Sequence, residues 1–216
     1  RIKKQWAPRP ESGTVDHVTS IEDLPLHQGD WLILSRTNDK LIKLKPTLQE
    51  MAIYFEIKGR KSYKTRLYTA VKHYTRWTNG DKLSLSECKD LFEFLELEQE
   101  LKEERMYDLK EFNYSIEDQW YEVFKSDPEE CLYIREMLRN KEELSKPARV
   151  KLSTIHAAKG GEATNVLIIL DNTKKIREAV DKSEDKHDEE HRVWYVGVTR
   201  TKQNLYIMTP KREDRS

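Results

Sequence analysis

Residues 166–170 (Val-Leu-Ile-Ile-Leu) are apolar at every position, and this run narrows the possible folds more than any other feature of the chain. Successive side chains of a strand face opposite sides of its sheet, so a strand apolar throughout needs cover on both faces. A parallel sheet packed between helices provides that cover. Three further short apolar runs, at 31–34, 150–152 and 205–208, supply companion strands. Helical patterns lie between the runs. Leu41, Leu44, Leu48 and Met51 recur at three- and four-residue steps, and a second helix is predicted from about 189 to 202 with Val193 and Val196 on its inner side. Strands alternating with helices imply an α/β architecture: a mainly parallel sheet with helices on both faces.

The middle of the chain has a different texture. Residues 64–147 are rich in Glu, Lys, Leu and aromatics and contain no strand-like run. Ser86 followed by acids predicts the N-cap of a long helix through Leu91, Phe94, Leu95 and Leu101. Ser115 and Asp118 open a second helix carrying Trp120, Val123 and Phe124. Asp127-Pro128 marks a break, after which Leu132, Met137 and Leu138 form a third. The expected organisation is therefore an α/β domain in two halves, 1–63 and 148–216, interrupted by an all-helical insertion at 64–147. The charged, leucine-poor stretch 174–190 is expected to be a mobile loop.

Composition removes several classes. Hydrophobic residues make up 37% and charged residues 36% of the 216, enough for a modest core. No apolar stretch approaches the roughly 20 residues that span a bilayer, and no signal-peptide pattern opens the chain. The first residue is Arg1 rather than Met, which suggests a fragment or a processed product. Cys88 and Cys131 have no metal-ligand spacing, so free thiols in a reducing cytoplasm are expected. The net charge is zero, but its distribution is uneven. Residues 57–80 hold seven Lys or Arg and no acid, interleaved with Tyr63, Tyr68, Tyr74 and Trp77, whereas in 87–118 acids outnumber bases twelve to four. Two readings are open: a basic face for a polyanion, or two solvated helix faces.

Two segments carry chemistry. Residues 153–162, Ser-Thr-Ile-His-Ala-Ala-Lys-Gly-Gly-Glu, leave one strand and enter the buried run at Val166. Strand ends are where open α/β sheets place ligand-binding loops. Gly160 and Gly161 allow close approach or positive φ, and His156, Lys159 and Glu162 supply an aromatic donor, a cation and a carboxylate. Read alone, the segment also fits an ordinary strand-to-loop turn. In residues 189–200, Glu-Glu-His-Arg-Val-Trp-Tyr-Val-Gly-Val-Thr-Arg, the side chains of Arg192, Tyr195, Thr199 and Arg200 fall near one helical face. An arginine fixed at a helix end can reach a phosphate on a neighbouring domain, because guanidinium stays charged and donates in a planar fork. The plainer alternatives for Arg200 are compensation of the helix dipole or pairing with Glu190.

Together these segments closely resemble motifs V and VI of the UvrD/Rep/PcrA helicases of superfamily 1A, approximately T-[LI]-H-x-A-K-G-L-E-F and E-E-x-R-x-x-Y-V-G-V-T-R-A. Thr154, Ile155, His156, Ala158, Lys159, Gly160 and Glu162 match the first; Glu189, Glu190, Arg192, Tyr195, Val196, Gly197, Val198, Thr199 and Arg200 match the second. A weaker match lies upstream, where Leu-Ile-Leu-Ser-Arg-Thr-Asn at 32–38, a helix, and 53–59 are similar to the family's strand, R-[ST]-N, helix and G-I-P-Y-x-x-x-G. The resemblance covers roughly 13–63 and 148–210 and implies a RecA-like motor domain whose helical middle sits where the family inserts an accessory subdomain, here a short one.

By resemblance, Arg200 is the arginine finger, and Glu162, Gly160 and Arg200 bind the nucleotide, with Glu162 at the ribose. His156 and Asn38 contact single-stranded DNA, and Arg36 and Lys61 contact backbone phosphates. For Arg192 and Tyr195 the expected role is structural, holding the motif VI helix in place. Gly161 and Ala163 replace the usual Leu and Phe, which predicts a more mobile motif V loop. The chain contains neither G-x-x-x-x-G-K-[ST] nor an acidic Asp-Glu box after an apolar strand, and the family's N-Y-R motif IV would sit just before Arg1. ATP and Mg²⁺ are therefore expected to bind only with an N-terminal RecA-like domain of the full-length parent. The fragment alone is expected to be monomeric, inactive and without a tightly bound cofactor. The parent is expected to be an ATP-dependent 3′-to-5′ helicase acting on single-stranded and duplex-junction DNA, with no membrane partner. Competing readings are a non-catalytic DNA-binding or protein-interaction module, part of a helicase-nuclease, and an unrelated α/β enzyme. The last lacks a nucleophile elbow, metal cluster or close carboxylate pair.

Overall fold

A computed structural model describes residues 12–99, 101, 104–112, 119–158, 160–170 and 174–209, with backbone alone at 174, 175, 177 and 179. The elements run β1 (Thr14–Val18), β2 (Trp31–Ser35), α1 (Asn38–Lys43), α2 (Lys45–Glu50), β3 (Phe55–Ile57), β4 (Arg60–Lys61), α3 (Thr65–Thr78), α4 (Leu85–Leu95), α5 (Trp120–Val123), α6 (Pro128–Arg139), β5 (Val150–Thr154), β6 (Ala163–Ile169), α7 (Lys174–Lys182), α8 (Glu184–Val198) and β7 (Thr201–Met208). The chain divides into two units, 1–60 with 145–216, and 61–144.

The strands form a seven-stranded sheet ordered β1-β7-β6-β2-β5-β3-β4, and all but β4 lie wholly in the first unit. Every pairing from β1 through to β3 is parallel. All five residues of β2 are buried, and so are the apolar residues of β6 from Val166 to Ile169. Two separate apolar layers account for this. Trp31, Ile33, Leu167 and Ile169 pack with Leu41 of α1 and Leu48 of α2 on one face. Leu32, Leu34, Val166 and Ile168 pack with Val193, Trp194 and Val196 of α8 on the other. The fully apolar run thus belongs to a strand covered on both sides, as its composition requires. Leu170 is the exception: it lies just past β6 and is exposed.

Several expectations need correction. The Leu41 stripe belongs to two short helices rather than one, α1 ending at Lys43 and α2 starting at Lys45 with Pro46 in its first turn. The segment 174–190, expected as a mobile loop, forms α7 and the first half of α8. Its Lys, Arg, Glu and Ala are good helix formers, and α7 packs against α8. Helix α8 stops at Val198 rather than near 202, and Thr201 already begins β7. Strand β1 gave no apolar signal because all but its last residue are exposed at the sheet edge.

In the second unit, the α4 N-cap is Ser84 rather than Ser86; its side chain accepts from the Glu87 N–H while Glu87 returns the bond to the Ser84 N–H. The helix ends at Leu95, well before Leu101, because Glu96 turns left-handed at φ 52°. Helix α5 is a single turn at Trp120–Val123, and its proposed start at Ser115 and Asp118 lies outside the described residues. Asp127 caps α6, with Pro128 in its first turn. The basic stretch resolves toward structure. Tyr63, Tyr74 and Trp77 are buried, Arg66 pairs with Glu93, and Arg76 pairs with Glu87 at 2.6 Å. Three of its four aromatics are core and Tyr68 is half-buried, while part of its charge is answered by the acidic stretch that follows.

Both cysteines are buried free thiols. Burial pushes the Cys88 thiol up to about 11 and raises that of Cys131. At pH 8 the native protein is expected to resist iodoacetamide at both positions while the guanidinium-unfolded chain takes up two equivalents, counted by mass spectrometry. Rapid native labelling of Cys88 would contradict that packing.

Candidate functional site

Strand register separates the motif residues into two groups. Ser35 is level with Thr154 and with Ile169, so β2, β5 and β6 end together at one edge of the sheet. Ala163 is level with Thr201, so β6 and β7 begin together at the other edge. The six-residue step along β6 puts about 20 Å between these edges at roughly 3.3 Å per residue. Segment 155–162 leaves β5 at the first edge and enters β6 at the second. Ile155 and Ala158 are buried in the apolar layer under α8. Helix α8 spans the same direction, with Glu190 toward the first edge and Arg200 at the second.

At the first edge the turn after β2 is tied to the crossing segment: the Ile155 N–H donates to Ser35 O at 3.0 Å, and Ser35 Oγ donates to Thr37 O at 3.0 Å. Arg36 Nε donates to both carboxylate oxygens of Glu190, at 3.1 and 3.0 Å. Arg36 NH1 lies 3.4 Å from His156 Nδ1. The His156 ring is exposed, and Asn38 opens α1. Asn38 Oδ1 and Thr37 Oγ1 are shielded from solvent and accept nothing from the described residues. Such atoms cost about 1–3 kcal/mol unless a ligand or water satisfies them.

At the second edge, the Ala163 N–H donates to Arg200 O at 3.1 Å, fixing the end of α8 to the start of β6. Arg200 Nε donates to Val196 O at 3.1 Å, and its NH2 donates to Thr199 Oγ1 at 3.2 Å. A guanidinium has five N–H groups, so three remain without a recorded acceptor, and no carboxylate pairs with Arg200 among the described residues. Glu162 and Gly160 are exposed, and Gly160 has φ 84°. Nothing lies within 4 Å of a Cβ built there, so glycine serves the backbone conformation rather than a close approach. Nearby, Asp30 accepts from the Thr164 N–H at 2.8 Å; burial alone would raise its pKa, but the hydrogen bonds with Thr164 and the Lys202 charge hold it below the ordinary aspartate value.

The structure thus brings Asn38, Arg36 and His156 to one edge and Gly160, Glu162 and Arg200 toward the other. Lys61 belongs to the second unit, where it donates to Tyr63 Oη at 3.0 Å and Leu144 O at 3.2 Å. Lys159 lies outside the described residues. Arg200 takes the helix-end contact but does not pair with Glu190, which holds Arg36 instead. Arg192 and Tyr195 are exposed, Tyr195 by 50%, and α8 is seated through Glu190, Val193, Trp194 and Gly197. Glu190 was read from the sequence as a motif match and a possible partner of Arg200, but not as the inward residue that holds Arg36, although it lies three, four and seven residues before those three inner positions. Ala163, despite replacing a larger anchor, is 5% exposed.

Gly197 sets the approach of α8: a Cβ there would lie 3.4 Å from the Cδ1 atoms of Ile155 and Ile168. Gly197→Val is expected to destabilise by about 1–3 kcal/mol through overpacking. Gly197→Ala should stay within about 1 kcal/mol, since helix propensity offsets the crowding. Urea midpoints check both, and an unchanged midpoint for the valine variant would contradict this seating.

Among the described residues, no three His, Cys, Asp or Glu converge on a possible metal position, and no helix is long and apolar enough to cross a membrane. No curated protein matches the chain. A family model described as the UvrD-like helicase C-terminal domain matches residues 34–212.

Proposed function

We propose, from the premise that the chain belongs to the UvrD-like helicase C-terminal domain family, that it is the second motor domain of an ATP-dependent 3′-to-5′ DNA helicase. One observation carries the reading: the two motif segments and helix α8 connect one edge of the sheet, with His156, Asn38 and Arg36, to the other, with Glu162 and Arg200. The first edge is the single-stranded DNA track, and the second faces a nucleotide held by an N-terminal RecA-like domain of the same polypeptide.

Arg200 acts as the arginine finger. Its N–H groups not used at the end of α8 are free to meet γ-phosphate oxygens, where fixed positive charge stabilises the transferring phosphoryl group. Glu162 accepts from the ribose hydroxyls. Asn38 and His156 hydrogen-bond the strand, and Arg36 works through the residues beside it. Lys61 already spends two donors inside its own unit and is a weaker phosphate contact. Mg²⁺ would be held by the N-terminal domain together with the nucleotide. Closure of the inter-domain cleft on ATP, and reopening after hydrolysis, would shift the strand held at the far edge.

The test uses the full-length protein on duplexes with a single-stranded tail at either end. ATP-dependent unwinding of 3′-tailed but not 5′-tailed duplex is expected, whereas the 216-residue chain alone should not hydrolyse ATP. Absence of any ATP hydrolysis stimulated by single-stranded DNA in the full-length protein would remove the motor reading.

A further inference from the structure

We infer that Glu190 is a positioning residue for His156: by holding the Arg36 guanidinium it fixes the imidazole in the tautomer protonated at Nε2. The ring then meets a nucleic-acid strand as a neutral hydrogen-bond donor. The strand half of this inference rests on the function proposed above; the tautomer half does not.

The carboxylate of Glu190 is nearly buried on the inner face of α8, with 9% of its side chain exposed, while Glu184 to Glu189 on the same helix are exposed. A buried carboxylate requires a partner, and Arg36 supplies it through an Nε–H shared between both oxygens at 3.0 and 3.1 Å. That bond leaves the outer arm of the guanidinium 3.4 Å from His156 Nδ1. Guanidinium has no acceptor and does not lose its proton. The approach is therefore a hydrogen bond only if Nδ1 keeps its lone pair; a proton on Nδ1 would set donor against donor. For a neutral imidazole the proton then sits on Nε2. No partner for Nε2 is recorded among the described residues, and the residue is exposed, so this N–H remains for a ligand acceptor such as a phosphate or base oxygen. Three elements distant in sequence, the turn after β2, the segment after β5 and helix α8, meet at this relay.

Nitrogen-15 NMR on ¹⁵N-histidine-labelled protein at pH 8 reads the tautomer directly. The chain has six histidines, and loss of one set of signals in His156→Ala assigns the ring. The wild type is expected to show a protonated Nε2 and a lone-pair Nδ1. Glu190→Ala should draw both shifts toward the averaged values of a free ring. Glu190→Gln, whose amide oxygen still accepts from Arg36, should keep the wild-type pattern and guards against a variant that merely folds poorly. In the full-length protein, Glu190→Ala should weaken oligo(dT) binding by roughly 3- to 10-fold, the scale of one hydrogen bond, as should His156→Ala. Glu190→Gln should remain near wild type. A wild-type ring protonated at Nδ1, or a Glu190→Ala spectrum identical to wild type, overturns the positioning role. If the spectra behave as stated but His156→Ala binds DNA normally, the strand half falls and the proposed DNA track falls with it.

Discussion

Replacing Arg200 with alanine in the full-length protein is expected to lower ATP turnover by about 10³- to 10⁵-fold, the scale of arginine-finger contributions. The side chain is half-buried at the C-terminal end of α8, where Nε donates to Val196 O at 3.1 Å. Losing that bond removes a helix-end contact with a net value of about 0.5–1.5 kcal/mol. A domain stable by about 5–15 kcal/mol absorbs this without unfolding. The two consequences are therefore separable: a near-normal urea midpoint and a collapsed rate of phosphate release at saturating ATP and DNA. Arg200→Lys should recover little, because an ammonium cannot hold Val196 O and Thr199 Oγ1 while also presenting a fork to phosphate. Wild-type turnover in the alanine variant would return Arg200 to a purely structural role at its helix end.

Trp77→Ala carries the largest expected effect on stability, about 3–5 kcal/mol. Trp77 is 0% exposed in the second unit, with Phe92 at 5.7 Å and Phe112 at 5.6 Å between ring centroids. Truncation removes these contacts and leaves a cavity that neighbouring helices only partly fill. The variant also tests the core assignment of the aromatics in the basic stretch 57–80. If its rings stacked on nucleic-acid bases, Trp77→Ala would weaken DNA binding with little loss of stability. As a core residue it should instead shift the denaturant midpoint of the second unit sharply. A midpoint unchanged within error would show that the aromatic cluster is not the core of that unit.

The parallel sheet was legible because burial on both faces leaves strands apolar throughout, as in β2 and the Val166–Ile169 part of β6. Edge position erased the same signal in β1, whose TVDHV sequence is mostly exposed. The segment 174–190 misled because its few apolar residues suggest solvation, yet its backbone needs only helix-forming side chains and a neighbouring helix. The motif segments were legible as residue strings, whereas their placement at opposite edges depends on β6 register. Glu190 was legible as a motif residue, but its setting among exposed acids hid its burial and its partner Arg36, and only the three-and-four spacing to Val193, Trp194 and Gly197 marked it as inward. Arg36 looked like a free phosphate ligand because its carboxylate partner is 154 residues away.

In the proposed motor, nucleotide and DNA engage opposite edges of one sheet. ATP turnover by the full-length protein, titrated with single-stranded DNA, tests it most directly when His156→Ala and Arg200→Ala are compared. His156→Ala is expected to need roughly 3- to 10-fold more DNA for half-maximal stimulation while reaching near wild-type maximal turnover. Arg200→Ala is expected to bind DNA normally and turn over ATP hardly at all. If both variants fall in the same parameter, the two edges do not have separate roles, and the proposed division between DNA track and nucleotide edge is contradicted.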